Sequence, residues 1–99
     1  MDGLVSGRLV YFVADAATAD SIRQQRADSG RYGNVVREGE IIPAVVVKVW
    51  DATAGYVNLK LLLDGPDAYW ATSVFYSAEQ PPRSWHWMYD GQATRGTKV

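Results

Sequence analysis

Apolar and polar positions divide this chain into stretches of different period. The first, "GRLVYFVAD" (7–15), is dense in β-branched and aromatic residues, and 7–14 is predicted as a strand. Polar residues then take over in "DAATADSIRQQRADSG" (15–30). Good helix formers follow an acidic start at Asp15 or Asp20, and Gly30 stands where a helix stops, so a helical insert is predicted over 18–29. Ile22 is its only large apolar residue. Such a helix is marginal alone and is expected to lie on the body of the domain or on a neighbouring subunit. "RYGNVVREGE" (31–40) reads as loop, with Gly33, Asn34 and Gly39 supplying turns.

Period two returns after residue 40. The valine run in "IIPAVVVKVW" (41–50) predicts a strand buried on both faces for part of its length, with Pro43 at its start or on an edge. In "YVNLKLLLD" (56–64), Val57, Leu59, Leu61 and Leu63 point one way, while Tyr56, Asn58 and Lys60 point the other. "DGPD" (64–67) is a turn, "YWATSVFYS" (69–77) the next strand, and "AEQPPR" a loop leading to "SWHWM". Short strands with one inserted helix define a mainly β class: a small SH3-like five-stranded barrel. One domain is expected over 1–99, with the barrel core at 41–89 and a polar tail at 90–99.

Composition narrows the function classes. Ninety-nine residues suffice for one small core. Ten basic against eleven acidic side chains argue against general nucleic-acid binding, which needs a cationic surplus. The absence of cysteine excludes disulfides and thiolate metal sites. No apolar run reaches the length of a membrane span, and "MDGLVSG" has no basic-then-apolar export pattern. An intracellular chain without membrane contact is the expectation.

The order "IIPAVVVKVW … VNLKLLLDG … YWATSVFY … PPRSWHW" resembles a family of short proteins encoded by tailed bacteriophages, especially those of actinobacteria. The upstream "VADAATADSIRQQRADS" resembles a helical insert found in part of that family, so the resemblance spans roughly residues 7–88. It implies a phage setting and little chemistry. One departure stands out: the family usually has Pro-Gly-Thr before Trp-His-Trp, and this chain has Pro82, Arg83 and Ser84. The lost glycine puts the turn geometry in question, and Arg83 adds a charge beside the aromatic wall.

Several constellations bear on chemistry. In a strand "SWHWM", Trp85 and Trp87 share one face about 7 Å apart, and Ser84, His86 and Met88 share the other. Two indoles there either close the barrel core or form a stacking platform, and core closure is favoured because small barrels need large residues at their ends. Ser84 and His86 suggest a nucleophile and its base, with Asp90 as a carboxylate. Residues two apart on a strand lie too far for a direct bond unless rotamers converge, so no catalytic residue is assigned. Asp64 and Asp67 read as turn residues before a cation site, so neither metal nor cofactor is expected. Arg23, Arg26, Arg31 and Arg37 are offset by Asp20, Asp28, Glu38 and Glu40 and read as a solvated mixed face. Asn58, Lys60, Trp70 and His86 could converge on a nucleotide-like partner through stacking and charge-assisted bonds. The favoured alternative is that Asn58 and Lys60 simply face water.

The expected function is that of a non-enzymatic phage accessory protein that works by binding. It would act as a homo-oligomer in the host cytoplasm and capture a nucleotide-derived host immune signal or a host protein. Its candidate contacts are Asn58, Lys60, Trp70, Trp85, His86 and Trp87. The alternative is a capsid or tail accessory protein of the virion, with the helix and tail packed on neighbouring subunits.

Overall fold

The computed structural model describes residues 1–90. The change of period at Asp15 becomes a helix cap: its carboxylate accepts from the Thr18 amide at 3.3 Å, and helix α1 runs Ala16–Ser29. Gly30 ends it in the left-handed conformation (φ 72°), its amide donating back to the Arg26 carbonyl. Thr18, Ala19 and Ile22 are buried. So small an apolar stripe needs other anchors, and α1 has them. Gln25 donates to the Ala68 carbonyl at 3.0 Å, and Arg26 forms an ion pair with Asp67 at 2.9 Å. The helix therefore lies on its own domain.

Strands β1 (Leu9–Val13), β2 (Ile41–Asp51), β3 (Tyr56–Leu62), β4 (Ala68–Tyr76) and β5 (Ser84–His86) close a barrel in the order β1-β2-β3-β4-β5. Neighbours are antiparallel except β4 and β5, which run parallel, and β5 completes the ring against β1. This is the mainly β, SH3-like barrel with one inserted helix that the pattern predicts. Alternation works as read in β3, where Val57, Leu59, Leu61 and the following Leu63 are buried. Phe12, Ile42, Val46 and Val74 meet them inside, and Trp85 closes the core. Pro43 stands opposite Tyr11, one residue before β2–β3 pairing begins at Ala44 and Leu61, so its missing N–H interrupts no rung there. The predicted polar tail lies outside the described residues apart from Asp90, which belongs to a short 3₁₀ turn, Met88–Asp90.

Two expectations need correction. The valine run is not buried on both faces: Ile42, Ala44 and Val46 point inward, while Val45 is half-buried and Val47 exposed. One side of β2 faces outward because α1 packs elsewhere, against the turn between β3 and β4. Nor is the arginine-bearing segment only a solvated face. Arg26 and Asp67 keep 11% and 3% of their side chains exposed, and Arg26 Nη1 also donates to the Asn34 carbonyl at 2.7 Å.

Arg83 is left-handed, with φ 65°. A non-glycine residue in that conformation costs about 1–2 kcal/mol. The Arg83 guanidinium offsets this by donating to the Thr72 carbonyl at 2.8 Å and the Ser73 carbonyl at 3.3 Å. Arg83→Ala keeps the strain and loses both bonds, so it is expected to lower unfolding free energy by about 1–2 kcal/mol. Arg83→Gly should recover about 1 kcal/mol of that loss in the same urea titration.

Candidate functional site

The predicted site residues separate into two groups. Trp85, His86 and Trp87 are buried. Trp85 is fully enclosed, with its Nε1 donating to the Gly55 carbonyl at 2.7 Å. Its ring meets Tyr76 at 5.0 Å and Trp87 edge-on at 4.9 Å, closer than strand spacing alone suggests. Trp87 is covered by the Arg8 guanidinium at 4.9 Å and by Tyr89, stacked at 5.8 Å. His86 is enclosed opposite Tyr11, ring centroids 5.7 Å apart. Burial extends to both faces of this segment: Tyr11 lies against His86 on one, and Arg8 and Tyr89 cover Trp87 on the other.

Ser84 and Asp90, the residues considered with His86 for nucleophile chemistry, have hydrogen-bond partners that shape the backbone around β5. The Ser84 hydroxyl donates to the Pro81 carbonyl at 2.6 Å, which fixes the turn before β5. Asp90 Oδ2 accepts from the Trp87 amide at 3.2 Å and the Tyr76 hydroxyl at 3.4 Å. Burial first, and Asp90 second, hold the Tyr76 phenol above its ordinary pKa, so it stays a neutral donor.

Asn58, Lys60 and Trp70 belong to the outer face of β3 and β4. His86 does not join them: Trp70 lies six residues before Tyr76, which pairs with Trp85, a separation of about 17–20 Å along the strand. Lys60 and Trp70 are direct cross-strand partners, both exposed, with Val45 on the other side of Lys60. Asn58 corrects the water-facing expectation, since it is only 6% exposed. The reason is a set of three irregularities around it. Register shifts between Val46 and Lys48 and between Val49 and Asp51 where β2 meets β3, and between Val57 and Leu59 where β3 meets β4, with Ser73 left-handed (φ 59°). Asn58 Oδ1 accepts the Ser73 amide at 2.8 Å and the Trp50 Nε1 at 2.9 Å.

That second bond reveals residues the sequence reading passed over. Trp50 is 55% exposed, yet its indole nitrogen is held by a buried amide and its face carries the Lys48 ammonium at 5.0 Å. Trp70 is 58% exposed, and Phe75, also exposed, stacks on Tyr56 at 4.3 Å with the rings nearly parallel. The outer face of β2–β4 therefore offers three exposed aromatic side chains with Lys48 and Lys60 among them. No Asp or Glu occurs in 41–50, 56–63 or 68–77. Asp51, at the end of β2, accepts from the Thr53 and Ala54 amides in the turn. The one available signal was the i, i+2 spacing of Lys48 and Trp50, which puts both on one face.

A recess of about 180 Å³ lies elsewhere, between α1 and the loop after it, lined by Ile22, Arg23, Arg31, Tyr32 and Val36 among others. It is smaller than the roughly 300–1,000 Å³ of drug-sized ligand sites. Among the described residues no cluster of three or more His, Cys, Asp or Glu is placed to hold a metal ion, and no helix is long and apolar enough to cross a membrane. Comparison with family models, curated proteins and solved structures finds no match.

Proposed function

We propose that this chain is a non-catalytic binding protein, a phage accessory factor acting in the host cytoplasm, whose working surface is the outer face of β2–β4. Its partner is nucleotide-like: a planar base lies on an exposed indole and a phosphate meets Lys48 or Lys60. One observation carries the reading. Trp50 is an exposed aromatic ring held in place by a buried amide, with a cation on its face. A surface residue fixed in this way loses little conformational entropy on contact, which favours binding. The phage setting comes from the resemblance of the segments quoted above.

A second reading has its own support. Leu9, Val47 and Leu62 are exposed near the same face, and a shared apolar patch suits protein contact, including contact between copies of this chain in a virion. A thermal-shift screen with mono-, di- and cyclic nucleotides separates the two. On the nucleotide reading, a ligand at a hundred times its dissociation constant stabilises the fold by about 2.7 kcal/mol. Trp70→Ala combined with Lys60→Ala should abolish that shift while leaving the unliganded midpoint nearly unchanged. Absence of any shift, together with the chain in purified particles at fixed stoichiometry, sinks the nucleotide reading and favours assembly.

A further inference from the structure

The exposed aromatics fall in successive rows of the sheet. Tyr56 pairs with Phe75, Asn58 carries Trp50, and Lys60 pairs with Trp70. Residues 56, 58 and 60 are two apart along β3, so neighbouring rows are separated by about 6.6 Å. Each row has one exposed ring beside it: Phe75 and Trp70 from β4, and between them Trp50, which reaches Asn58 with its indole N–H from the register shift between Val49 and Asp51 on β2. The cations accompany them. Lys48 pairs with Asn58 in the middle row, where Arg83 also reaches the Thr72 and Ser73 carbonyls, and Lys60 belongs to the third.

We infer that this face binds single-stranded nucleic acid, one base to a row, with the phosphates passing Lys48, Lys60 and Arg83. The inference rests on the nucleotide-like reading and extends it from one nucleotide to a strand. Three considerations favour a strand. A single nucleotide gains most from an enclosing pocket, whereas these rings are exposed on the outer side of the barrel. The row spacing is of the order of one nucleotide step in an extended strand whose bases are splayed apart, the form in which aromatic side chains stack bases. Duplex DNA buries its base faces and leaves the rings nothing to stack on. The near-neutral total charge fits this picture, because the cations gather on a wall whose strands carry a single carboxylate, Asp51 at the end of β2 opposite Tyr56, which accepts the Thr53 and Ala54 amides in the turn. Two or three phosphate contacts suffice for a short strand and fall far short of a general grip on duplex.

Fluorescence anisotropy of labelled oligothymidylates of two, four and eight nucleotides tests this, with thymidine monophosphate and a duplex as competitors and tryptophan quenching as a second readout. Affinity should rise at least tenfold from the monophosphate to the tetranucleotide and then level off, with the duplex not competing. The logarithmic salt dependence should have a slope of about −1.4 to −2.1, from two or three contacts on a single strand. Trp70→Ala should weaken tetranucleotide binding about tenfold or more. Lys48→Ala with Lys60→Ala should flatten the slope by more than half. Equal affinity for monophosphate and tetranucleotide overturns the strand inference and leaves the nucleotide-like reading standing. Failure of every nucleotide and oligonucleotide to bind overturns both, and concentration-dependent self-association blocked by Trp70→Asp would then assign the face to a second copy.

Discussion

Trp85→Ala is expected to lower the free energy of unfolding by about 3–5 kcal/mol. Domains of this length have about 5–15 kcal/mol in total, so the variant should lose a large share of its stability. The magnitude follows from the surroundings. Trp85 is fully enclosed, touches Tyr76 and Trp87, and lies in the short strand that closes the barrel. The space it leaves cannot easily collapse from the Gly55 side. Gly55 has φ 72°, and a Cβ built on it would lie 2.7 Å from the Tyr76 Cβ, so that turn is already in close contact with its neighbour. Trp85→Phe separates packing from hydrogen bonding. It keeps much of the ring and removes the donor, but the Gly55 carbonyl still accepts the Tyr76 amide at 3.0 Å. A cost of about 1–2 kcal/mol is expected, because no acceptor is left bare. Urea titrations followed by near-ultraviolet circular dichroism give both numbers. A Trp85→Ala protein with an unchanged midpoint would show that the indole is not part of the core.

The same burial agrees with the favoured expectation that Trp85 and Trp87 close the core, and it takes both rings out of the candidate binding surface. Alternation in a strand assigns one face to Trp85 and Trp87 and the other to His86, and from that alone either face can be exposed. Which one is solvated depends on what packs outside β5, and Arg8 and Tyr89, which cover Trp87, are too distant in pattern from a strand to be inferred. The barrel was more legible. The alternation of Val57, Leu59, Leu61 and Leu63, the cap at Asp15, Gly30 and the Asp64–Asp67 turn all act locally, so local chemistry sufficed. Lys60 and Trp70 were also found, because cross-strand pairing preserves their outward faces. Trp50 and Asn58 were not joined, since three irregularities of register surround them and none leaves a mark in the period. Arg26 illustrates the remaining limit: four arginines among as many acids look alike in sequence, and only the fold places one of them against Asp67.

That ion pair carries the second large effect. Asp67→Ala should cost about 3–5 kcal/mol at neutral pH, because it strands a guanidinium that keeps only 11% of its side chain exposed. The contact is two-pronged, Nε to Oδ2 at 2.9 Å and Nη2 to Oδ1 at 3.2 Å, and it ties α1 to the β3–β4 turn. Its neighbours leave no room for a substitute geometry: a Cβ at Gly33 would come within 2.9 Å of the Asp64 carbonyl and into the Arg26 guanidinium itself. The hydrogen bond from Arg26, opposed by burial and reinforced by the guanidinium charge, holds the Asp67 carboxyl below its ordinary pKa. The sign of the pH effect follows. A carboxylate whose folded pKa lies below its unfolded value of about 3.9 stabilises the protein fully above that value and loses this contribution as pH falls through the folded one. Asp67→Asn has no such ionisation, so its stability deficit against the parent should be largest from about pH 5 upward and shrink below about pH 4. Parallel urea titrations between pH 3 and 7 measure that difference. Because the pair is shielded, the deficit at pH 7 should change little between low and high salt, unlike that of the exposed Arg23–Asp20 pair. A deficit that stayed constant down to pH 3 would mean that Asp67 acts through its shape and hydrogen bonding, with its charge contributing nothing.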